Sequence, residues 1–148
     1  MIRKIVLEGE PVLRKISKPV KAFDEKLWSL LDDMRDTMRR ENGVGIASPQ
    51  VGILRRCFIV EINGMYIECV NPEIINTSGE VIDIEGCLSI PHKTGRVKRP
   101  EAVTIKAYDR YGNEFVLTAH DYTARALCHE YDHLNGVLYI DKMEKERK

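Results

Sequence analysis

The sequence has no long run of apolar residues and no excess of charge of either sign. No stretch approaches the roughly 20 apolar residues that a membrane-spanning helix needs. Charges at Arg3, Lys4, Glu8 and Glu10 occupy the place where a signal peptide would be apolar. Lysine plus arginine equals aspartate plus glutamate, 23 against 23. We therefore expect no membrane partner, no nucleic-acid specificity and a protein that stays in the compartment where it is made.

Closely spaced cysteines are absent as well. The four cysteines, Cys57, Cys69, Cys87 and Cys128, form no CxxC pair, so we expect no disulfide framework and a reducing cytoplasm. The chain has 148 residues, of which 43% are hydrophobic and 31% charged. Those values are typical of a soluble globular protein with one core. We therefore expect a single domain over residues 1–148.

Apolar periodicity and turn residues predict two helices. The first begins after Asp24, a plausible N-cap, and stops at residues 42–43, Asn-Gly. Its apolar stripe has helical spacing and indicates core packing; the stripe consists of Leu27, Leu30, Leu31, Met34 and Met38. The second helix runs from about Asp121, a fair N-cap, to about Leu134.

Between the helices the sequence predicts β-strands. Residues 57–62 and 66–70 form one hairpin around Asn63-Gly64, and residues 103–108 and 114–117 form another. The stretch 73–89 contributes one or two further strands. The positive run Lys93, Arg96, Lys98 and Arg99 is interpreted as a solvated strand edge or loop. This order of helices and strands indicates an α+β fold.

Residues 129–133, His-Glu-Tyr-Asp-His, give the strongest chemical signal. Histidines four apart on a helix lie on one face and can bind one metal ion. The adjacent Glu130 can act as general base on a metal-activated water. Arg125 and Asp132 lie on one flank of this helix and could pair with each other or support a ligand histidine.

A catalytic metal usually has three protein ligands, so a third is required. Asp141 and Glu144 lie downstream, and Cys87 lies upstream beside a glycine. The residues alone leave these alternatives open. Cys128 precedes the first histidine but points about 100° away around the helix, so it should not share the site.

Two glycines and a proline within residues 43–50, Gly-Val-Gly-Ile-Ala-Ser-Pro-Gln, argue against a regular helix or a central strand there. We expect a loop at which the backbone passes close to a ligand or to another part of the chain. With residues 85–89, Glu-Gly-Cys-Leu-Ser, and the histidine motif, this segment makes the sequence resemble the peptide deformylase family. Residues 9–20 also resemble the family's N-terminal arm, so the similarity covers nearly the whole chain. One departure is Ser48, where the family usually has alanine.

The resemblance implies a peptide-deformylase-like α+β fold, with antiparallel or mixed β-sheets around a central helix that bears the HExxH motif. It implies that Cys87, His129 and His133 bind one divalent metal. That metal would be Fe²⁺ in the cell, with Zn²⁺, Ni²⁺ or Co²⁺ as alternatives. Glu130 would be the general base, and the Gln50 side chain and Leu88 backbone N–H would stabilise an oxyanion.

The implied activity is hydrolysis of the formyl group from N-formylmethionyl nascent peptides, with release of formate, in a bacterial-type cytoplasm. Gly43, Val44 and Gly45 would pair with the peptide backbone, and Val44, Tyr122 and Ala126 could wall a methionine pocket. Glu85 would fix the loop or contact the substrate. Transient ribosome association is a further expectation. The competing interpretations are a zincin-like metallopeptidase and a non-catalytic relative that binds metal or formyl-peptides.

Overall fold

Helix α1 forms where the apolar stripe predicted it. In the computed structural model, which describes residues 1–145, it spans Glu25–Arg40. The side chain of Asp24 accepts a hydrogen bond from the Leu27 backbone N–H at 3.2 Å, which confirms the predicted N-cap. The five predicted stripe residues are all buried. The helix therefore packs on the sheet through the face that the sequence indicated.

The main sheet is antiparallel and has five strands in the order β1-β2-β3-β6-β7. Its strands are β1 Gly45–Ala47, β2 Cys57–Ile62, β3 Met65–Ser78, β6 Ala102–Tyr108 and β7 Glu114–His120. Both predicted hairpins, β2-β3 and β6-β7, are confirmed. Strand β3 is much longer than the predicted strand 66–70, because it pairs with β6 as well as with β2. Its register with β6 shifts at two points.

A second, two-stranded antiparallel sheet consists of β4, Val81–Cys87, and β5, Ile90–Arg99. The sequence predicted strand structure up to residue 89 and a solvated strand edge or loop for the basic run that follows. The prediction that its basic run is solvated was wrong for Arg99, which is only 3% exposed. Successive side chains on β5 point to opposite faces, which explains the burial of Arg99. Val97 and Arg99 are buried, while Lys98 between them is exposed.

The segment predicted as a loop, residues 43–50, is more regular than expected. It contains the edge strand β1, which pairs only with β2, and then a 3-10 helix, Ser48–Val51. A three-residue edge strand satisfies one side of the backbone and leaves the other side open. The glycines therefore lie in and beside a short strand whose open edge can accept a ligand.

Helix α2, Asp121–Leu134, carries the histidine motif. The prediction that Asp121 is its N-cap was wrong, because His120 occupies that position and makes no side-chain capping bond. One face of α2 joins the main core, in which Ala124, Leu127 and Leu134 share a cluster with residues of the five-stranded sheet. Within the described residues, no helix is long and apolar enough to cross a membrane.

The chain after α2 folds back behind the smaller sheet. A 3-10 helix, Tyr139–Lys142, is followed by a β-bridge from Met143 to Val97. This region forms a rear cluster that contains Leu13, Ile90, Val97, Leu138 and Tyr139. Residues 146–148 lie outside the described part of the chain.

Glu61 on β2 links the main sheet to α1 and should make stability depend on pH. Its carboxylate contacts Arg39 at 2.8 Å and Arg35 at 2.6 Å, and these arginines lower its pKa from 4.5 to about 2. We expect Glu61→Gln to lower the free energy of unfolding by about 1 kcal/mol near neutral pH. Because folding lowers the pKa of Glu61, the difference in unfolding free energy should be fully present above pH 4.5. It should shrink as the pH falls towards about 2.

Urea unfolding of the parent and the variant at several pH values measures that difference. Exposed Glu73 on β3 offers a control, because Glu73→Gln removes a carboxylate outside this cluster. A difference for Glu61→Gln that stayed constant between neutral pH and about pH 3 would contradict the linkage.

Candidate active site

Three residues from two distant motifs meet at one point. Cys87 ends β4, and His129 and His133 lie one turn apart on α2. Their potential ligand atoms all lie within 4.8 Å of one another, and the Cys87 Sγ is 3.4 Å from the His133 Nε2. Within residues 1–145 no other group of histidine, cysteine or acidic side chains meets this criterion. The structure thus brings Cys87, and neither Asp141 nor Glu144, to the two histidines.

The electrostatics of the two histidines suit a cation between them. Burial disfavours a charge on His129, but Glu130, Cys87 and Glu85 outweigh it and raise the pKa of His129 to about 10. Burial, together with the charge of His129, lowers the pKa of His133. The site therefore attracts one positive charge. A divalent metal bound by a thiolate and two imidazoles would supply that charge in place of the proton.

Glu130 lies beside the two histidines, on the same helix, and is 4% exposed. Burial raises the pKa of its carboxyl group to about 7. Its Oε1 is buried, and no group within residues 1–145 forms a hydrogen bond with it. On the opposite side, a β-carbon added to Gly45 would lie 2.6 Å from Oε2. Glu130 is therefore a buried carboxylate whose position requires glycine at residue 45 of strand β1.

Gln50 has a fixed orientation at the same site. The Ala47 backbone N–H donates to its Oε1 at 2.9 Å, so its amide nitrogen must point the other way. That Nε2 donates to Ser89 Oγ at 3.1 Å and lies 3.5 Å from Cys87 Sγ. Leu88 occupies the turn between Cys87 and Ser89 and lines the same cleft. Both residues expected to stabilise an oxyanion are thus adjacent to the cysteine.

Glu85 has a different environment from the one expected of a substrate-binding residue. It is 6% exposed, and its Oε1 lies 2.8 Å from the Nδ1 of His129. Arg99 donates two hydrogen bonds to the carboxylate, at 2.8 and 2.9 Å, and Arg125 donates another at 2.7 Å. Burial alone would raise the pKa of Glu85, but Arg99 and His129 outweigh it and lower that pKa. Because both oxygens are engaged by protein groups, the carboxylate orients His129 and has little capacity left for a ligand.

Arg125 and Asp132 were expected to pair with each other or to support a histidine. They do not pair with each other; each joins the ion cluster around Glu85. Arg125 contacts Glu85 directly, and Asp132 accepts a hydrogen bond from Arg99 at 2.6 Å. Lys142 also contacts Asp132, at 2.9 Å. The cluster therefore ties β4, β5, α2 and the C-terminal segment together behind Cys87 and the two histidines.

A cleft of about 320 Å³ opens in front of these residues. It lies between β1, which pairs only with β2, and β4, which pairs only with β5, so each strand has one edge outside the sheets. The three residues predicted to wall a methionine pocket, Val44, Tyr122 and Ala126, all line it. Ile84, also in the wall, was not predicted.

Sequence reasoning missed two buried side chains behind the site, Arg99 and Tyr139. The alternation of apolar and charged residues along β5 could have revealed Arg99, because it shares the face of Val97. Tyr139 gave no comparable signal. It lies in a short segment after Asn135-Gly136, and its burial depends on contacts with distant parts of the chain.

Known proteins resemble the chain over nearly its whole length. A family profile described as polypeptide deformylase matches residues 2–148. The peptide deformylase of Caldicellulosiruptor bescii is 52% identical over 142 residues, which are 96% of this chain and 86% of that protein. The crystal structure of peptide deformylase from Thermotoga maritima has a TM-score of 0.96 at 38% identity, covering 98% and 99% of the two chains. A Met-Ala-Ser-bound structure of the class I type b enzyme from Acinetobacter baumannii has a TM-score of 0.92 at 36% identity, covering 97% and 99%.

The buried ion cluster predicts a large effect of removing Arg99. We expect Arg99→Met to lower the free energy of unfolding by about 3–5 kcal/mol, because Glu85 and Asp132 would lose a buried cation. Lys98→Met is the matched control, since Lys98 is the neighbour on β5 and its side chain is 48% exposed. Urea unfolding should show less than about 0.5 kcal/mol for that control. Equal losses of unfolding free energy in the two variants would show that the buried cluster stabilises the fold no more than an exposed lysine does.

Proposed function

The chain belongs to the polypeptide deformylase family, and on that premise we propose which residues carry its chemistry. The activity is that of a metal-dependent hydrolase that removes the formyl group from the N-terminal formylmethionine of nascent polypeptides and releases formate. The observation that supports this chemistry best is the convergence of Cys87, His129 and His133 beside the buried Glu130.

The proposed metal ligands are the Cys87 thiolate and the Nε2 atoms of His129 and His133. The Nδ1 of His129 faces Glu85, and the Nε2 of His133 faces Cys87, so these nitrogens are the ones available. When bound, a divalent metal would supply the Lewis acidity that activates water near neutral pH. We propose Fe²⁺ as the metal in the cell. A Cys/His/His set also accommodates Zn²⁺, Ni²⁺ or Co²⁺.

Glu130 is the proposed general base and acid. Its unpartnered Oε1 can accept the proton of the attacking water. The pKa of about 7 suits a group that takes a proton and then returns it. Transfer of that proton to the departing amine nitrogen completes the cleavage, because the carbon–nitrogen bond to the formyl group breaks as formate leaves.

Gln50 and Leu88 are the proposed oxyanion donors. The negative charge develops on the formyl oxygen as water attacks the carbon, and fixed N–H groups stabilise it most effectively. The Ala47 N–H fixes the orientation of the Gln50 amide, and its Nε2 faces the cysteine. The Leu88 backbone N–H would be the second donor, from the turn that follows Cys87.

The peptide is proposed to bind as an extended strand between β1 and β4. An exposed strand edge offers backbone hydrogen bonds to a ligand of any sequence. Gly43, Val44 and Gly45 line the cleft and would pair with the backbone, while the methionine side chain enters the apolar part. A relative with Met-Ala-Ser bound supports this, since such a peptide corresponds to the deformylated product. We assign Glu85 to orienting His129 in place of substrate binding.

Three broader features belong to the same proposal. Residues 1–148 act as one catalytic domain, which is supported by α2, since its apolar face packs on the main sheet and the ion cluster joins it to the smaller sheet. The protein works in a bacterial-type cytoplasm, which is consistent with four free cysteines. Transient association with ribosomes would bring the cleft to nascent chains.

The alternatives receive less support. A zincin-like metallopeptidase has no use for Cys87, which in this structure lies within reach of both histidines. A non-catalytic binding relative would require neither a buried Glu130 nor an oriented Gln50. The similarity to peptide deformylases also favours the deformylase activity.

Formate release from formyl-Met-Ala-Ser tests the proposal. The protein is purified without oxygen and supplied with Fe²⁺ or Ni²⁺, and Glu130→Gln serves as an isosteric variant. We expect release by the parent chain and a loss of at least about 10²-fold in the variant, because a general base contributes that much. No release by a folded, metal-loaded parent chain would refute the activity.

Gly45→Ala should impair activity through Glu130. The added methyl group would lie 2.6 Å from Oε2 and must displace the carboxylate. We expect kcat/KM to fall about 10²-fold with metal content unchanged, since small displacements of a reacting group have effects of this size. Gly43→Ala is the neighbouring control. Its methyl group would meet the flexible end of Leu88 at 2.9 Å and lie 3.4 Å from Met38, so the loss of activity should be smaller. A larger loss for Gly43→Ala would contradict this reasoning.

A further inference from the structure

Tyr139 is a large buried aromatic residue that lies against the metal centre without belonging to it. It is 1% exposed and lies in the 3-10 helix after α2. Its ring centroid is 6.1 Å from that of His129, and the two planes are inclined by only 24°. This is the geometry of an offset stack between aromatic rings.

The position of the Tyr139 ring is itself fixed. Its hydroxyl donates to the Lys93 carbonyl of β5 at 3.0 Å. Burial raises the pKa of the hydroxyl, so it stays protonated and able to donate. Asp141 holds the 3-10 helix in place, because it accepts a bond from the Leu138 N–H at 2.9 Å and contacts Arg14. The stack thus rests on a rigid support and not on a mobile tail.

The imidazole of His129 needs such a support. The side-chain torsion that rotates a histidine ring is broad, so rotamer preference alone does not fix the ring plane. Glu85 fixes one edge of the ring by accepting at Nδ1, and His133 lies edge-on at 5.0 Å. Tyr139 adds a contact with a face of the ring. Together these contacts leave the Nε2 edge for a metal.

We propose that Tyr139 is a positioning residue of the metal centre, and that its ring holds the His129 imidazole in the plane needed for coordination. An imidazole bound to a divalent cation is electron-poor, so its contact with a tyrosine face becomes more favourable when the metal binds. The ring provides this effect, and the hydroxyl serves to anchor the ring. Phenylalanine should therefore replace tyrosine better than an aliphatic residue of similar size.

The test measures metal binding directly. Metal-free parent, Tyr139→Phe and Tyr139→Leu proteins are titrated with Co²⁺ against a competing chelator, while the thiolate-to-cobalt and d–d absorption bands are recorded. We expect Tyr139→Leu to weaken Co²⁺ binding about tenfold, as loss of a residue that orients a ligand does, and to change the d–d bands. Tyr139→Phe should stay close to the parent in both.

A stability control separates positioning from general destabilisation. Leu13 is buried in the same rear cluster but comes from the N-terminal segment. We expect Leu13→Ala to lower the melting temperature while leaving Co²⁺ affinity and spectrum unchanged. The proposal is overturned if folded Tyr139→Leu binds Co²⁺ like the parent, or if Leu13→Ala weakens binding equally.

The role of Tyr139 rests on the proposed metal centre, and the same titration separates failure of that role from failure of the proposed centre or reaction. A parent chain that binds no Co²⁺ would refute the centre and this role with it. A parent that binds Co²⁺ but releases no formate would refute the proposed reaction and leave the role of Tyr139 supported by the affinity series.

Discussion

The arrangement of the active site depends on one buried carboxylate, that of Glu85. It lies on β4, two residues before Cys87, and its partners come from β5 and from α2. A charge in this position is stable only if all its hydrogen-bonding capacity is used. Arg99, Arg125 and His129 use it from different directions. Satisfying Glu85 therefore sets the distance between the smaller sheet and α2, and with it the distance between the cysteine and the histidines.

This constraint explains why distant motifs form one centre. The cysteine belongs to the two-stranded sheet, the histidines belong to α2, and Gln50 follows the edge strand of the main sheet. The apolar face of α2 attaches it to the main sheet, whereas the ion cluster attaches it to the smaller sheet. The helix thus joins two sheets that share no strand. The cleft between their open edges is a consequence of that arrangement, since neither edge is covered by another strand.

The sequence predicts the parts of this structure that are locally determined. The N-cap at Asp24, the Asn63-Gly64 hairpin and the spacing of the two histidines each depend on residues close in sequence, so short-range rules are sufficient. The prediction for Arg99 was wrong because a basic run is usually solvated, whereas Glu85 on β4 and Asp132 on α2 make the burial of this one arginine favourable. Tyr139 depends on partners from β5 and α2. Such long-range contacts have no signature within a single segment.

The protein holds the two histidines of the site in different ways. His129 is restrained by Glu85 and flanked by two aromatic rings, whereas the Nδ1 of His133 is buried without a hydrogen-bond partner. Close packing compensates for that missing bond, since His133 is only 1% exposed and its Nε2 lies 3.4 Å from the Cys87 Sγ. His129 is therefore oriented by a directional hydrogen bond and a stacked ring, and His133 by the side chains packed around it.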